Sequence, residues 1–233
     1  MKIDAAKKAL CNASDTKRGR EIQRIIRGEI AQKCAVKYAD CDLVAGCDVS
    51  YRRDGISKAA VVVYSRIKKK FVEEVTAEVA TEFPYIPTFL SFREAPALLV
   101  AFEKLKSKPQ VFIFDGQGLA HPHHAGLATH MGVVLEKPSV GCAKSHLYGI
   151  YEEPPNVKGA YTFIKEKDGE LLGVCLRTKV FVKPLFLSIG WGVDISFIMD
   201  AVWETLTRYR IPDVMRRADK LSKDRPLNWR END

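Results

Sequence analysis

The run Val111 to Phe114 is wholly apolar and is followed at once by Asp115. A short strand with no polar position reads as one buried on both faces, inside a sheet that other elements cover. A second short and mostly apolar run, Leu43 to Cys47, also ends in a carboxylate, Asp48. In open α/β sheets ligands bind beyond the carboxyl ends of strands. If the two strands are neighbours, both carboxylates converge on one spot.

The rest of the chain supplies neighbours for these strands. Residues 15–34 read as a helix, because Asp15 can cap it and Ile22, Ile25, Ile26 and Ile30 recur at helical spacing. Its opposite face carries Lys17, Arg20, Arg24 and Arg27 and is either solvated or phosphate-facing. "SKAAVVVYSRI" and "KKFVEEVTAEVA" read as two strands joined by a hairpin-like turn. "TEFPYIPTFLSFRE" is a proline-stiffened loop leading into a helix that has Pro96 in its first turn and runs to about Lys106. A short helix is expected over residues 126–133 and a strand over 138–142. "AYTFIKEKDGELLGVCLR" reads as a hairpin turning at Asp168 and Gly169. "VFVKPLFLSIG" reads as a strand that Pro184 makes an edge or a bulged one. Asp194 can cap a final helix with Ile195, Ile198, Met199, Val202, Trp203 and Leu206 on one face. Residues 212–233 read as a basic tail with Arg216, Arg217, Lys220, Lys223 and Arg225, either phosphate-facing or a solvated terminus. This order predicts one α/β domain over residues 1–233, with a mixed sheet flanked by helices.

Composition narrows the class. Lysine and arginine total 37 against 29 for aspartate and glutamate, a net charge of +8 that suits a polyanionic partner. No stretch has the roughly 18–20 uncharged apolar residues of a membrane span. The N-terminus lacks the apolar core of a signal peptide. The expectation is a cytoplasmic protein and a monomer. None of the six cysteines forms a C-x-x-C pair, so they read as reduced, buried thiols rather than a zinc site.

Two anions a few ångströms apart repel and tend to hold a proton between them, and a bound cation removes that conflict. Carboxylates are hard oxygen ligands, which favours Mg²⁺, with Mn²⁺ as a substitute. Glu94, where the proline-braced loop gives way to a helix, is a candidate third ligand. Gly116 and Gly118 beside Asp115 either form a tight turn or let the backbone approach a ligand. "GQG" is no dinucleotide fingerprint, and the chain has no P-loop, H-E-x-x-H or G-x-S-x-G. All five histidines lie between His121 and His146, and His121, nearest Asp115, is the candidate to touch a scissile phosphate or its attacking water. His123, His124, His130 and His146 read as hydrogen-bonded surface residues. Lys144 either neutralises charge on a pentacovalent phosphate or is a solvated strand-end lysine.

Four blocks in order, "VAGCDVSY", "PYIPTFLSFRE", "FDGQGLAHPHHAGLATHMGV" and "SVGCAKS", resemble the endonuclease V family of deoxyinosine 3′-endonucleases. The resemblance implies a ribonuclease H-like fold and a Mg²⁺-dependent DNA repair endonuclease. Such an enzyme hydrolyses the second phosphodiester bond 3′ to deoxyinosine, leaving 3′-hydroxyl and 5′-phosphate ends. Some members prefer inosine-containing RNA. The family's metal carboxylates fall on Asp48, Glu94 and Asp115, and its active-site histidine and lysine on His121 and Lys144. Its DNA wedge falls on Tyr85, on a loop with Pro84, Ile86 and Pro87. Prolines limit the loop's freedom, so little entropy is lost when a ring stacks between bases. The flipped base would sit against Leu90, Gly116, Gly118 and Leu127, with Gln117 and the backbone of the "GQG" turn reading its edge.

The chain departs from the family pattern at two places. Thr88 stands where many members have glycine, which would stiffen the wedge loop. Trp191 stands where a histidine of the late strand would be, and Asp194 nearby is a further candidate to approach the metal. Three alternatives remain open: an inosine-specific endoribonuclease using the same site, a non-catalytic reader of deaminated bases, and a small-molecule phosphatase on a similar scaffold.

Overall fold

The computed structural model describes residues 3–30 and 36–224. Three strands form an antiparallel meander: β1 (Leu43–Tyr51), β2 (Ile56–Ser65) and β3 (Lys70–Ala80). Beyond them lie β4 (Val111–Phe114), β5 (Ser139–Ala143), β6 (Tyr161–Lys165), β7 (Leu171–Leu176) and β8 (Leu185–Ile189). All eight make one sheet in the order β3-β2-β1-β4-β5-β8-β7-β6. β1, β4 and β5 are parallel to one another, and every other pairing is antiparallel. This is the mixed α/β sheet flanked by helices that the ribonuclease H-like expectation calls for.

Period-two alternation fills both sides of the central strands. Phe112 and Phe114 face α3 (Leu90–Lys104) and α4 (Leu127–Leu135), packing with Leu98, Phe102 and Met131. Val111 and Ile113 face α5 (Ile195–Trp203) and α6 (Asp213–Ser222), packing with Ile198, Val202, Val214 and Met215. Two further helices, α1 (Ala5–Ala9) and α2 (Thr16–Gly28), complete the α4 side. Among the described residues no helix is long and apolar enough to cross a membrane. The five described cysteines are buried thiols outside any disulfide among the described residues, and Cys34 lies outside the described residues.

Several expectations need correction. The N-terminal helix ends at Gly28, so Ile30 is not on it, and residues 31–34 lie outside the described residues. α3 starts at Leu90, which leaves Pro96 inside the helix instead of in its first turn. Phe89, buried among Phe83 and Phe92, fixes the chain early enough for the helix to begin there. β8 is interior: Ser188 pairs with Gly141 on one side and Gly173 on the other. Pro184 precedes the strand, so its missing N–H costs no ladder bond. α5 is not the final helix. Residues 213–222 of the supposed basic tail are α6, amphipathic through Val214, Met215, Ala218 and Ser222, and packed on β1 and β2. Residues 225–233, with Arg225, lie outside the described residues.

Candidate active site

The parallel pairing of β1 and β4 sets Cys47 opposite Phe114, so Asp48 and Asp115 lie side by side. Asp115 follows the end of β4, whereas Asp48 lies inside β1, which runs past the expected end at Cys47 to Tyr51. Asp48 points to the α6 side, where Ser222 Oγ donates to its Oδ2. Gly46 makes this closeness possible, since a Cβ there would lie 2.6 Å from the Val214 backbone. The helix thereby delivers a third carboxylate, Asp219. One oxygen from each of Asp48, Asp115 and Asp219 lies within 4.8 Å of the others. Asp219 is absent from the sequence-derived site. Reading residues 212–233 as a basic tail passed over its acids, Asp219 among them. The helical spacing of Val214, Met215, Ala218 and Ser222 is the signal that would have exposed it.

Charge is crowded here. Burial pushes the Asp48 carboxyl up to about 6, the Ser222 hydroxyl opposes this, and the charges of Asp115 and Asp219 add to the rise. Glu94, on the first turns of α3, is buried and accepts from Tyr51 Oη at 2.8 Å. Burial raises it to about 8, against the Tyr51 hydrogen bond, with Asp48 and Asp115 contributing further. It lies within electrostatic reach of the triad but outside the 4.8 Å cluster. Lys144, just past β5, pairs with Asp115 and sits 3.8 Å from Asp219. Burial works against its charge, yet the carboxylates raise its pKa. The Lys144 ammonium thus already answers part of the negative charge. Hard oxygen donors, mutual repulsion and a lysine paired to the cluster are the properties of a divalent cation site, and the residues fit one.

Beside the triad is a cavity of about 390 Å³. It brings together Tyr85, Leu90, Asp115, Gly116, Gln117 and Leu127. His121 and Lys144 also line it. Tyr85 stands at the tip of the 81–89 loop and is 69% exposed, while Pro84 and Pro87 are solvent-facing. Ile86 packs inward toward the Phe83, Phe89 and Phe92 cluster. Gly118 is the exception. Its Cβ position would meet the Ile189 carbonyl at 2.0 Å, so it serves a close backbone approach to β8. Its N–H is committed to Ser188 Oγ at 2.6 Å. Gln117 is held at both ends, donating to the Ser145 carbonyl at 3.0 Å and accepting from Ser188 Oγ at 3.3 Å.

His121 is buried, and both its ring nitrogens have partners. Nε2 lies 3.1 Å from the Thr88 carbonyl and Nδ1 accepts from the His123 N–H at 3.1 Å, which fixes the neutral tautomer. Burial lowers its pKa to about 4 despite the Thr88 bond. His124 and His130 are buried rather than on the surface: His124 faces Glu166 and His130 bonds the Leu10 carbonyl at 2.9 Å. Trp191 donates its indole N–H to the Glu29 carbonyl at 3.0 Å and packs beside the cluster of Ile22, Ile26 and Phe92. Asp194 does not reach the triad. It is exposed and caps α5 through the Phe197 N–H.

The endonuclease V family model matches residues 24–220. Endonuclease V of Dictyoglomus turgidum is 42% identical over 216 residues, covering 91% of this chain and 92% of that one. The crystal structure of a Bacillus subtilis endonuclease V superposes with TM-score 0.89 at 31% identity, covering 96% of each chain. Ciona intestinalis endonuclease V was solved with a 24mer DNA containing an inosine followed by a ribo-adenosine. It matches with TM-score 0.79 at 28% identity, covering 90% of this chain and 96% of that one.

Proposed function

Because the chain belongs to the endonuclease V family and is an endonuclease, we propose that it is a Mg²⁺-dependent repair enzyme for DNA containing deoxyinosine. It hydrolyses the second phosphodiester bond 3′ to the lesion and leaves 3′-hydroxyl and 5′-phosphate ends. The observation that carries this reading is the shared wall. Asp115 belongs both to the carboxylate triad and to the cavity that Tyr85 overhangs.

The division of labour follows from the geometry. Tyr85 is a large ring on a loop that prolines and buried phenylalanines stiffen, suited to fill the gap left by an extruded base. The base enters the cavity between Leu90 and Leu127, where Gly116 lets it approach the backbone. Gln117, pinned from two sides, holds the turn that reads its edge. Asp48, Asp115 and Asp219 would hold the cation, with Glu94 behind them. When bound, the cation offsets their repulsion and supplies Lewis-acid polarisation of the scissile phosphate. Lys144 is placed to hold negative charge on the phosphate. His121, neutral and bonded at both nitrogens, braces the wedge loop from within.

A nicking assay tests this. A labelled duplex with one deoxyinosine should be cut one nucleotide beyond the lesion in Mg²⁺ and left whole in EDTA or by Asp115→Ala. Uncut duplex in Mg²⁺ sinks the DNA reading. The ribo-adenosine after the inosine in the Ciona complex keeps an inosine-specific ribonuclease as the second reading. Rates on matched deoxyinosine and inosine strands separate the two.

A further inference from the structure

Thr88 closes the loop that carries Tyr85, and its backbone has φ +71°. A β-branched residue in the left-handed region is a genuine outlier and stays there only when its surroundings hold it. The surroundings are a specific set of bonds. Gln23 is the polar residue on the buried face of α2, beside Ile22 and Ile26; it is only 2% exposed and donates Nε2–H to the Thr88 carbonyl at 2.6 Å. Its Oε1 accepts from Arg20 Nη1 at 3.0 Å, which leaves the NH₂ end for Thr88. Arg20 also reaches Thr88 Oγ1 at 3.4 Å and lies 4.4 Å over the Phe89 ring. From the other side His121 meets the same carbonyl at 3.1 Å. Gly19 lets the helix sit this close, because a Cβ there would fall 2.7 Å from the Phe89 ring. Gly19, Arg20 and Gln23 all precede residue 24, where the family match begins.

We infer that Gln23 is a positioning residue for substrate recognition: through the Thr88 carbonyl it locks the left-handed backbone that aims Tyr85. The inference rests on the reading of Tyr85 as the wedge. Without the Gln23 amide, Thr88 is released toward the negative φ it prefers, and the ring no longer stands over the cavity. Glycine at 88 has no such preference, so it tolerates the loss of the clamp.

The test uses Gln23→Met, which keeps bulk and removes the amide. Kd is measured in EDTA for a duplex with one deoxyinosine and for the undamaged duplex, and the single-turnover rate in Mg²⁺ at saturating enzyme. Gln23→Met should weaken lesion binding about tenfold, leave undamaged binding alone and change the saturated rate less than about twofold. Adding Thr88→Gly should restore lesion binding to within about threefold of wild type. A general loss of α2 would not be rescued that way. If Gln23→Met fails to fold, Thr88→Gly alone decides. An intact clamp keeps its affinity near wild type, and a tenfold loss overturns the inference. A wild-type protein with no preference for the lesion would remove the wedge reading itself. A wild-type preference that a folded Gln23→Met shares, or a loss that Thr88→Gly does not rescue, would overturn only the clamp.

Discussion

The carboxylate triad and the wedge loop lie on opposite sides of one cavity and are built on opposite principles. The triad stands on β1, the end of β4 and α6, all regular elements of the fold, yet its charges are in conflict. Burial and mutual repulsion hold Asp48 and Glu94 above the usual carboxylate range. The wedge loop is irregular and strained at Thr88, yet its buried polar groups are bonded: Gln23, Thr88 and His121 each have partners. A rigid frame can keep an electrostatic deficit for a cation to fill. The loop presents its exposed ring from a base in which Gln23 and His121 are both hydrogen-bonded to the Thr88 carbonyl.

The largest expected effect lies on the triad. Asp219→Asn should reduce cleavage more than about a hundredfold, beyond what loss of an outer-shell partner costs, with lesion binding in EDTA retained. Asp194→Ala, which only removes a cap, should cost about 1 kcal/mol of stability and leave cleavage unchanged. Full activity in Asp219→Asn would show that the triad is not the reacting centre and that the contrast with the loop is false.

Gly46→Ala sharpens the point from the packing side. The new methyl meets backbone, which cannot swing away, so overpacking should cost about 1–3 kcal/mol. For a chain of this size each kcal/mol lowers Tm by about 2–4 °C. Because α6 must retreat and take Asp219 with it, cleavage should fall further than the folded fraction, measured by calorimetry beside the nicking assay.

How much of this was legible in the sequence follows the same divide. Asp48 and Asp115 could be read because each follows an apolar run, and local pattern placed them without knowledge of the fold, although β1 runs on past Asp48 to Tyr51. Asp219 was only half legible: the helical spacing around it is local, but its role depends on that helix crossing β1 at Gly46, a long-range contact. The loop's prolines and Tyr85 were visible. Its clamp was not, since nothing near Gln23 announces a partner 65 positions away. Pro184 misled for a related reason: a proline beside a strand was read as inside it.

The two regions should also respond to pH in opposite senses without divalent cations. Glu94 and Asp48 have raised pKa values, so the folded state keeps protons that the unfolded chain gives up near pH 4. Their stabilising contribution is full below about pH 4 and is lost as pH rises to about 8. His121 and His130 are depressed to about 4, so their contribution is full above about 6.5 and is lost as pH falls toward 4. Between about pH 6.5 and 8.5 the carboxyls act alone, and Tm in EDTA should fall by several degrees. Glu94→Gln should flatten most of that slope, and Mg²⁺ should reverse it, because the cation needs the ionised carboxylates. An unchanged slope in Glu94→Gln would break the account of the crowded charge.

The smallest effect belongs to the exposed ring. Tyr85 is held by few contacts of its own, so Tyr85→Ala should leave Tm within about 1 °C, as surface substitutions do. Stacking on a base is worth about 1–3 kcal/mol, and the unstacked gap must otherwise be filled by water. Lesion affinity should therefore drop about tenfold or somewhat more, while the saturated single-turnover rate, set by the triad, stays near wild type. Tyr85→Phe separates stacking from the hydroxyl and should keep most of the affinity. If Tyr85→Ala slows the saturated rate as much as it weakens binding, the ring is positioning the phosphate as well as the base. The cavity would then be one site rather than two regions sharing a wall at Asp115.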